Sequence, residues 1–292
     1  MCIGMRTDMH QVKTRKTKRV GCRMTILSVA IRVLVFLIVA GAALLYYFQS
    51  KLLFYPAKLE KNFAFSFSLP HEEKFISYNK ETLHGLLFKA NKPKARMMYF
   101  HGNRGALDKW GQVGADLSEK LNCDIFILDH PGFGKSTGSL PTSEKELYES
   151  ADAAFAEFIA STDKTLPIIL YGRSLGSALA SYLASKNKVQ ALILETPYLS
   201  IKAMAKVLFP FVPSFFVHYD LDNAKNIQGL NIPILILHGT GDTVVPYIQG
   251  KELAALNSNA EFITIDDGNH NTLANYPLYW NAVENFVAKI SL

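Results

Sequence analysis

"LPIILYGRSLGSALASYLAS", Leu166 to Ser185, opens as a short run of bulky and β-branched residues and closes with small and apolar residues at helical spacing. A strand therefore becomes a helix within Gly172-Arg173-Ser174-Leu175-Gly176, and Ser174 sits on the corner. A turn this sharp carries positions two residues either side of the serine against the neighbouring strand and helix, so glycine is required at 172 and 176. It also points the Leu175 amide, at the amino end of the new helix, toward negative charge developing on a group attacked by the Ser174 hydroxyl. One GxSxG is a weak signal; its place between a strand pattern and a helix pattern gives it meaning.

Outward from the corner, strand patterns recur at Glu73–Tyr78, Thr82–Ala90, Arg96–Phe100, Asp124–Asp129, Leu166–Tyr171, Val189–Leu194, Ile232–Leu237 and Glu261–Ile265. Helix-period segments fall between most of them, at Leu107–Leu121, Ser143–Ile159, Leu175–Lys186, Tyr247–Leu256 and Tyr276–Ile290. Two early strands without a helix, followed by strict alternation, predict an α/β fold: a mainly parallel eight-stranded sheet with an antiparallel start and helices on both faces. Residues 197–228, after the sixth strand, break the rhythm with "AMAKVLFPFVPSFFVHYD", where Pro210 and Pro213 interrupt a helical pattern. An insertion there is expected to act as a cap, its apolar residues either packing or facing lipid and acyl chains.

A serine hydroxyl is a poor nucleophile, so Ser174 needs an imidazole to accept its proton and a carboxylate to orient that imidazole. In open α/β sheets such groups gather at the carboxyl ends of the strands. "ILILHGTGDTVVP" places Asp242 in a turn just past a strand, with Pro246 set to start the next helix. Asp220 and Asp222 are rivals but fall in the insertion, and Asp266 and Asp267 lie too close to the candidate base in sequence. That base is His270, in "DDGNHN" after the last strand; a free imidazole titrates near about 6.5 and accepts a proton at neutral pH. His101 and His238 each belong to an "HG" turn and are expected as hydrogen-bonded supports. "FHGNRG" after the third strand supplies a second oxyanion donor, the amide of Asn103, beside Gly102.

The charge pattern excludes other classes. Residues 1–24 carry Arg6, Lys13, Arg15, Lys16, Lys18, Arg19 and Arg23 against Asp8, a surplus of +6, whereas residues 51–292 carry 23 basic and 24 acidic side chains. The globular part is nearly neutral, so no nucleic-acid partner is expected. "GFGKS" lacks the glycine that a phosphate loop needs five positions before Gly134, where Asp129 stands, and no histidine pair has HExxH spacing. No metal or organic cofactor is expected. One cysteine, Cys123, follows the apolar segment, so the globular part forms no internal disulfide, and no Asn-x-Ser/Thr acceptor occurs.

Thr25 to Phe48 is apolar apart from Arg32. As a helix it reaches about 36 Å, enough for a bilayer core of about 30 Å. Tyr46, Tyr47 and Phe48 suit an interfacial aromatic belt, and the basic residues before the span place the amino terminus in the cytoplasm. The expected organisation is a basic cytoplasmic tail (1–24), a single-pass transmembrane signal-anchor (25–48) and an extracytoplasmic domain (49–292) that begins with the linker Gln49–Lys58. The competing reading is a cleaved signal peptide ending at the small residues Ala40 to Ala42; the length of the apolar run favours the anchor.

Taken together, "FHGNRG", "LDHPGFGKSTG", "YGRSLGSALA", "LHGTGDTVVP" and "GNHN" resemble the α/β-hydrolase superfamily over about residues 50–292, and within it the single-pass, membrane-anchored depalmitoylating and acylglycerol or lysophospholipid hydrolases. The resemblance implies Ser174 as nucleophile, Asp242 as acid, His270 as base, and Asn103 and Leu175 as oxyanion amides. The chain departs from many relatives at His130-Pro131, where a Tyr-Arg pair is common, and at Ser177, where a third glycine is common. The expectation is a membrane-bound serine hydrolase acting on an ester, thioester or acyl substrate. The alternatives are a serine peptidase of the same fold and a non-catalytic, membrane-tethered binding module; no feature specifies an oligomeric state.

Overall fold

A computed structural model describes residues 6–210 and 212–291, with side chains from Leu27 onward except Leu45, and in it the eight expected strands share one sheet. The basic side chains of the 1–24 segment lie outside the described residues. The strands are β1 (His71–Tyr78), β2 (Glu81–Phe88), β3 (Arg96–Phe100), β4 (Asp124–Leu128), β5 (Ile168–Arg173), β6 (Ala191–Glu195), β7 (Ile234–Gly239) and β8 (Ala260–Ile265). They lie in the order β1-β2-β4-β3-β5-β6-β7-β8. β2 pairs antiparallel with both β1 and β4, and every other pairing is parallel. β5 and β7 each end two residues later than their apolar runs suggest: β5 continues through Gly172 to Arg173, and β7 extends to Gly239.

Central strands of this kind are apolar along most of their length, with charged residues confined to their ends, because both faces are covered. Side-chain alternation sends Met98, Phe100, Leu170 and Leu192 to one face, and Met97, Tyr99, Ile169 and Ile193 to the other. The first face packs against α3 (Glu144–Ser161) and α4 (Gly176–Lys186); the second packs against α2 (Leu107–Leu121) and, nearer the carboxyl terminus, Pro277–Ile290. Fully burying an aliphatic or aromatic side chain contributes about 1.5–3 kcal/mol, so Val283, Phe286 and Val287 alone dock the last helix firmly.

The order of strands positions the site. From β3 the chain crosses one face through α2 to β4; from the adjacent β5 it crosses the other face through α4 to β6. The loops leaving β3 and β5 therefore diverge to opposite faces and open a crevice at the carboxyl edge of the sheet. Asn103 stands on one side of it and Ser174 on the other.

The insertion after β6 contains α5 (Ile201–Leu208), capped by the Ser200 hydroxyl, a short 3-10 turn at Ser214–Phe216, and α6 (Asn223–Gln228), capped by Asp222. Phe211 is outside the described residues. α7 (Tyr247–Ala254) follows β7, which makes Pro277–Ile290 α8. The chain forms two compact units, residues 1–48 and 49–292. The first belongs to α1 (Arg6–Leu53), whose window Leu27–Leu44 has a mean hydropathy of 2.5, none of it buried, and is long and apolar enough to cross a membrane. The helix does not stop at Phe48. Gln49 to Leu53, expected as linker, are its last residues, and the extended pair Tyr55–Pro56 comes next.

Candidate active site

Ser174 adopts φ +51°, a left-handed conformation that costs a non-glycine residue about 1–2 kcal/mol and persists only where the surroundings impose it. The surroundings are backbone. A Cβ on Gly172 would overlap the Gly176 carbonyl and lie 2.6 Å from the Ser177 Cα; one on Gly176 would overlap the Phe100 carbonyl oxygen and lie 2.7 Å from that of His101. The two glycines thus let α4 approach both its own strand and β3. The Ser174 amide donates to the Glu195 carbonyl at 2.9 Å, and the Ser177 hydroxyl donates to the Ser174 carbonyl at 2.6 Å. Ser177 Oγ also accepts from Asn223 Nδ2 at 2.9 Å, so this hydroxyl ties the elbow to α6.

Three loops from distant parts of the chain converge here. His270 Nε2 lies 3.0 Å from Ser174 Oγ, and His270 Nδ1 lies 2.8 Å from Asp242 Oδ2. With the ring proton on Nδ1, the imidazole donates to the carboxylate and accepts from the hydroxyl. Asp242 Oδ1 accepts from the amides of Val244 and Val245 at 2.8 and 2.9 Å, which fixes the carboxylate within its own turn. Burial works to raise the Asp242 carboxyl, but hydrogen bonds from His238 and His270, attraction to His270 and the Val245 amide outweigh it and hold the group well below the usual carboxylate range. It stays ionised.

His238, fully buried at the end of β7, donates from Nε2 to the Val245 carbonyl at 3.0 Å and stands 3.3 Å from Asp242 Oδ2. His101 donates from Nδ1 to the Gly102 carbonyl at 2.7 Å and stacks on Trp110. His130 bonds the His101 carbonyl at 3.1 Å; burial and the neighbouring His101 push its imidazole down to about 3, so it is a neutral support under the β3 loop.

Sequence reasoning missed a brace around the base. Arg173, next to the serine, donates from one terminal nitrogen to the His270 carbonyl at 2.7 Å and to Asn271 Oδ1 at 2.8 Å. Its Nε lies 3.0 Å from Glu195 Oε1, and its guanidinium lies over the Trp110 ring. Glu195 Oε2 in turn accepts from the hydroxyls of Tyr171 and Tyr279 at 2.8 and 3.2 Å. One side chain therefore joins the elbow, the end of β6 and the base-bearing loop. The signal was present in two charged residues, Arg173 and Glu195, ending two otherwise apolar strands.

The β3 loop passes close to the serine: a Cβ on Gly102 would lie 3.7 Å from Ser174 Cβ. Neither the Asn103 nor the Leu175 amide finds an acceptor among the described residues. Among those residues, no group of three or more His, Cys, Asp or Glu side chains is arranged to hold a metal ion.

A family model described as serine aminopeptidase, S33, matches residues 91–227. The α/β hydrolase domain-containing protein WAV2 of Arabidopsis thaliana is 30% identical over 285 residues, covering 87% of this chain and 92% of that protein. The α/β hydrolase domain-containing protein 17B of Xenopus laevis is 29% identical over 198 residues, 67% of each chain. Among solved structures, an esterase of Pyrococcus furiosus superposes with a TM-score of 0.64 at 17% identity, covering 82% of this chain and 98% of its own. Est1E of Butyrivibrio proteoclasticus, with ferulic acid bound, superposes with a TM-score of 0.59 at 20% identity, covering 74% and 96%. The fold, its order of strands and a relative similar over nearly its whole length agree: the chain belongs to the α/β-hydrolase superfamily and is a hydrolase.

Proposed function

We propose that the chain is a membrane-anchored serine hydrolase that cleaves carboxylic esters or thioesters through an acyl-enzyme on Ser174. The observation that carries this reading is the unbroken line of hydrogen bonds from the Ser174 hydroxyl through His270 to Asp242. Ser174 Oγ attacks the acyl carbon as its proton passes to His270 Nε2, and the ionised Asp242 stabilises the imidazolium. The amides of Asn103 and Leu175 take the charge that develops on the acyl oxygen, each donor lowering the barrier by about 3 kcal/mol. Nε2 then returns the proton to the leaving alkoxide or thiolate. A water molecule, deprotonated by the same nitrogen, attacks the acyl-serine and releases the acid, restoring the hydroxyl.

An acyl or lipid-like substrate is supported by the insertion, where Val207, Leu208, Phe209 and Phe215 are exposed by 52%, 54%, 60% and 75%. The apolar window in α1 supports a single-pass anchor, and the preceding basic residues support a cytoplasmic amino terminus with the catalytic domain on the far side. The description of the family model favours a second reading, an aminopeptidase. Such an enzyme needs a free carboxylate for the substrate's amino group, and Glu195, beside the elbow, is already committed to Arg173, Tyr171 and Tyr279.

The test is turnover of p-nitrophenyl esters of increasing chain length, against aminoacyl p-nitroanilides, by the full chain in detergent. Ester cleavage that Ser174→Ala abolishes supports the reading; cleavage of anilides alone would replace it with the peptidase. For topology, a reporter fused after Leu292 is expected to be active only outside the cytoplasm.

A further inference from the structure

The residues that leave the apolar helix run directly beneath the β3 loop. Asn103 Nδ2 donates to the Leu53 carbonyl at 2.7 Å, and the Tyr55 amide donates to the Asn103 carbonyl at 2.8 Å. Tyr55–Pro56 pairs in parallel with Arg104–Gly105, the Ala57 amide donates to the Gly105 carbonyl at 3.0 Å, and Arg104 lies over the Tyr55 ring. Further along, the Gly134 amide donates to the Ala57 carbonyl at 2.8 Å. Toward the helix, Gln49 holds the insertion through the Phe216 carbonyl at 2.6 Å and the His218 amide at 2.7 Å, and Ser50 meets the Tyr219 hydroxyl at 2.8 Å. Phe54, 2% exposed, is wedged between Phe133 and Tyr219.

This arrangement leaves the main-chain N–H of Asn103 unused. Its carboxamide is bonded to Leu53 and its carbonyl to Tyr55, so both flanks of the residue are pinned, while its main-chain N–H has no acceptor among the described residues. An oxyanion donor is effective only when it is held in place before charge develops, because then no reorganisation is needed in the transition state. A glycine at 102 and positive φ at Gly105 make this loop conformationally permissive, so its aim has to come from outside it.

We propose that the side chain of Asn103 is a positioning group which, by gripping the segment Leu53–Ala57, fixes the aim of its own amide at the oxyanion and makes the stretch following the apolar helix a working part of the active site. The proposal rests on Ser174 being the nucleophile and adds a reason for asparagine at 103. Gln49 and Ser50, a few residues upstream, hold the insertion, so the cap and the oxyanion loop are both tied to one short segment.

The test uses the full chain in detergent, with Asn103→Ala and the near-isosteric, uncharged Asn103→Leu, which fills the same space but cannot donate to Leu53. Both are expected to lower kcat by about 10- to 100-fold with KM within about twofold. Inhibition by a trifluoromethyl ketone, which forms the oxyanion on the enzyme, should weaken in proportion to kcat, a change that a space-filling role would not produce. Should either variant fail to fold, Tyr55→Pro removes the amide bonded to the Asn103 carbonyl together with the ring under Arg104, and Tyr55→Ala, which loses the ring but keeps the amide, is its control; the same split is expected between the two. Unchanged kcat and ketone affinity in these variants, with Ser174→Ala inactive, would overturn the proposal alone. An active Ser174→Ala would overturn it together with the reading beneath it.

Discussion

The elbow and the insertion lie at the same carboxyl edge of the sheet and are built in opposite ways. At the elbow, position is imposed by main chain: two glycines admit backbone on both sides, Ser174 is forced to φ +51°, and each reacting group is bonded to a neighbour that is itself fixed. In the insertion, α5 buries only Met204 and prolines interrupt the residues after it, leaving large apolar side chains exposed. The elbow is held by steric necessity; the insertion is held by a few polar ties at its edges. Substitutions at the elbow should therefore change rate by orders of magnitude, and substitutions in the insertion should change which ester is preferred.

The largest expected effect is on the relay. His270→Ala should lower kcat on a short p-nitrophenyl ester by about four to six orders of magnitude with the fold intact, read by steady-state kinetics and circular dichroism. Gly176→Ala comes next. Its methyl group meets carbonyls of β3, so it should lose about 1–3 kcal/mol in denaturant unfolding and most activity, whereas Ser177→Ala, which adds no atoms, should retain the fold.

Arg173→Ala should reduce kcat about 10- to 100-fold by releasing the His270 loop from the elbow, and Arg173→Lys should restore little of it, since one ammonium cannot span Glu195, the His270 carbonyl and Asn271 at once. pH sharpens the same contrast. The Asp242 carboxyl is lowered in the folded chain, so its contribution to stability is present above the unfolded value of about 3.9 and is lost as pH falls below it. Asp242→Asn should flatten that acid limb in unfolding curves recorded between about pH 5 and 2. The smallest effect is expected in the insertion: Phe209→Ser and Phe215→Ser should change stability by no more than about 0.5 kcal/mol and leave short esters unaffected, while turnover of long-chain esters falls.

The same contrast explains which features are legible in the sequence. The central parallel strands β3 to β7 are buried and largely apolar, so they stand out as runs, and the backbone collisions at 172 and 176 demand glycines that print a motif. The glycines also mislead. The apolar runs stop at Tyr171 and Leu237, before each glycine, yet Gly172 lies inside β5 and Gly239 is the last residue of β7; a Cβ on Gly239 would overlap the Gly268 carbonyl, so the residue marks close approach. The Arg173–Glu195 brace shows in the sequence only as two charges ending apolar strands, and the grip of Asn103 on Leu53 does not show at all, because each joins residues brought together only when separate strand ends or the linker align. Gln49 to Leu53 read as linker because amphipathic, aromatic residues after a span carry no stop signal of their own, and the helix continues through them.

The central claim, that Ser174 is the nucleophile activated by His270, is tested most directly by exposing the full chain in detergent to a fluorophosphonate and mapping the adduct by peptide mass spectrometry. The account predicts one adduct, on Ser174, that disappears in Ser174→Ala and forms orders of magnitude more slowly in His270→Ala. An adduct on another residue, or labelling of Ser174 at the same rate without His270, would contradict it.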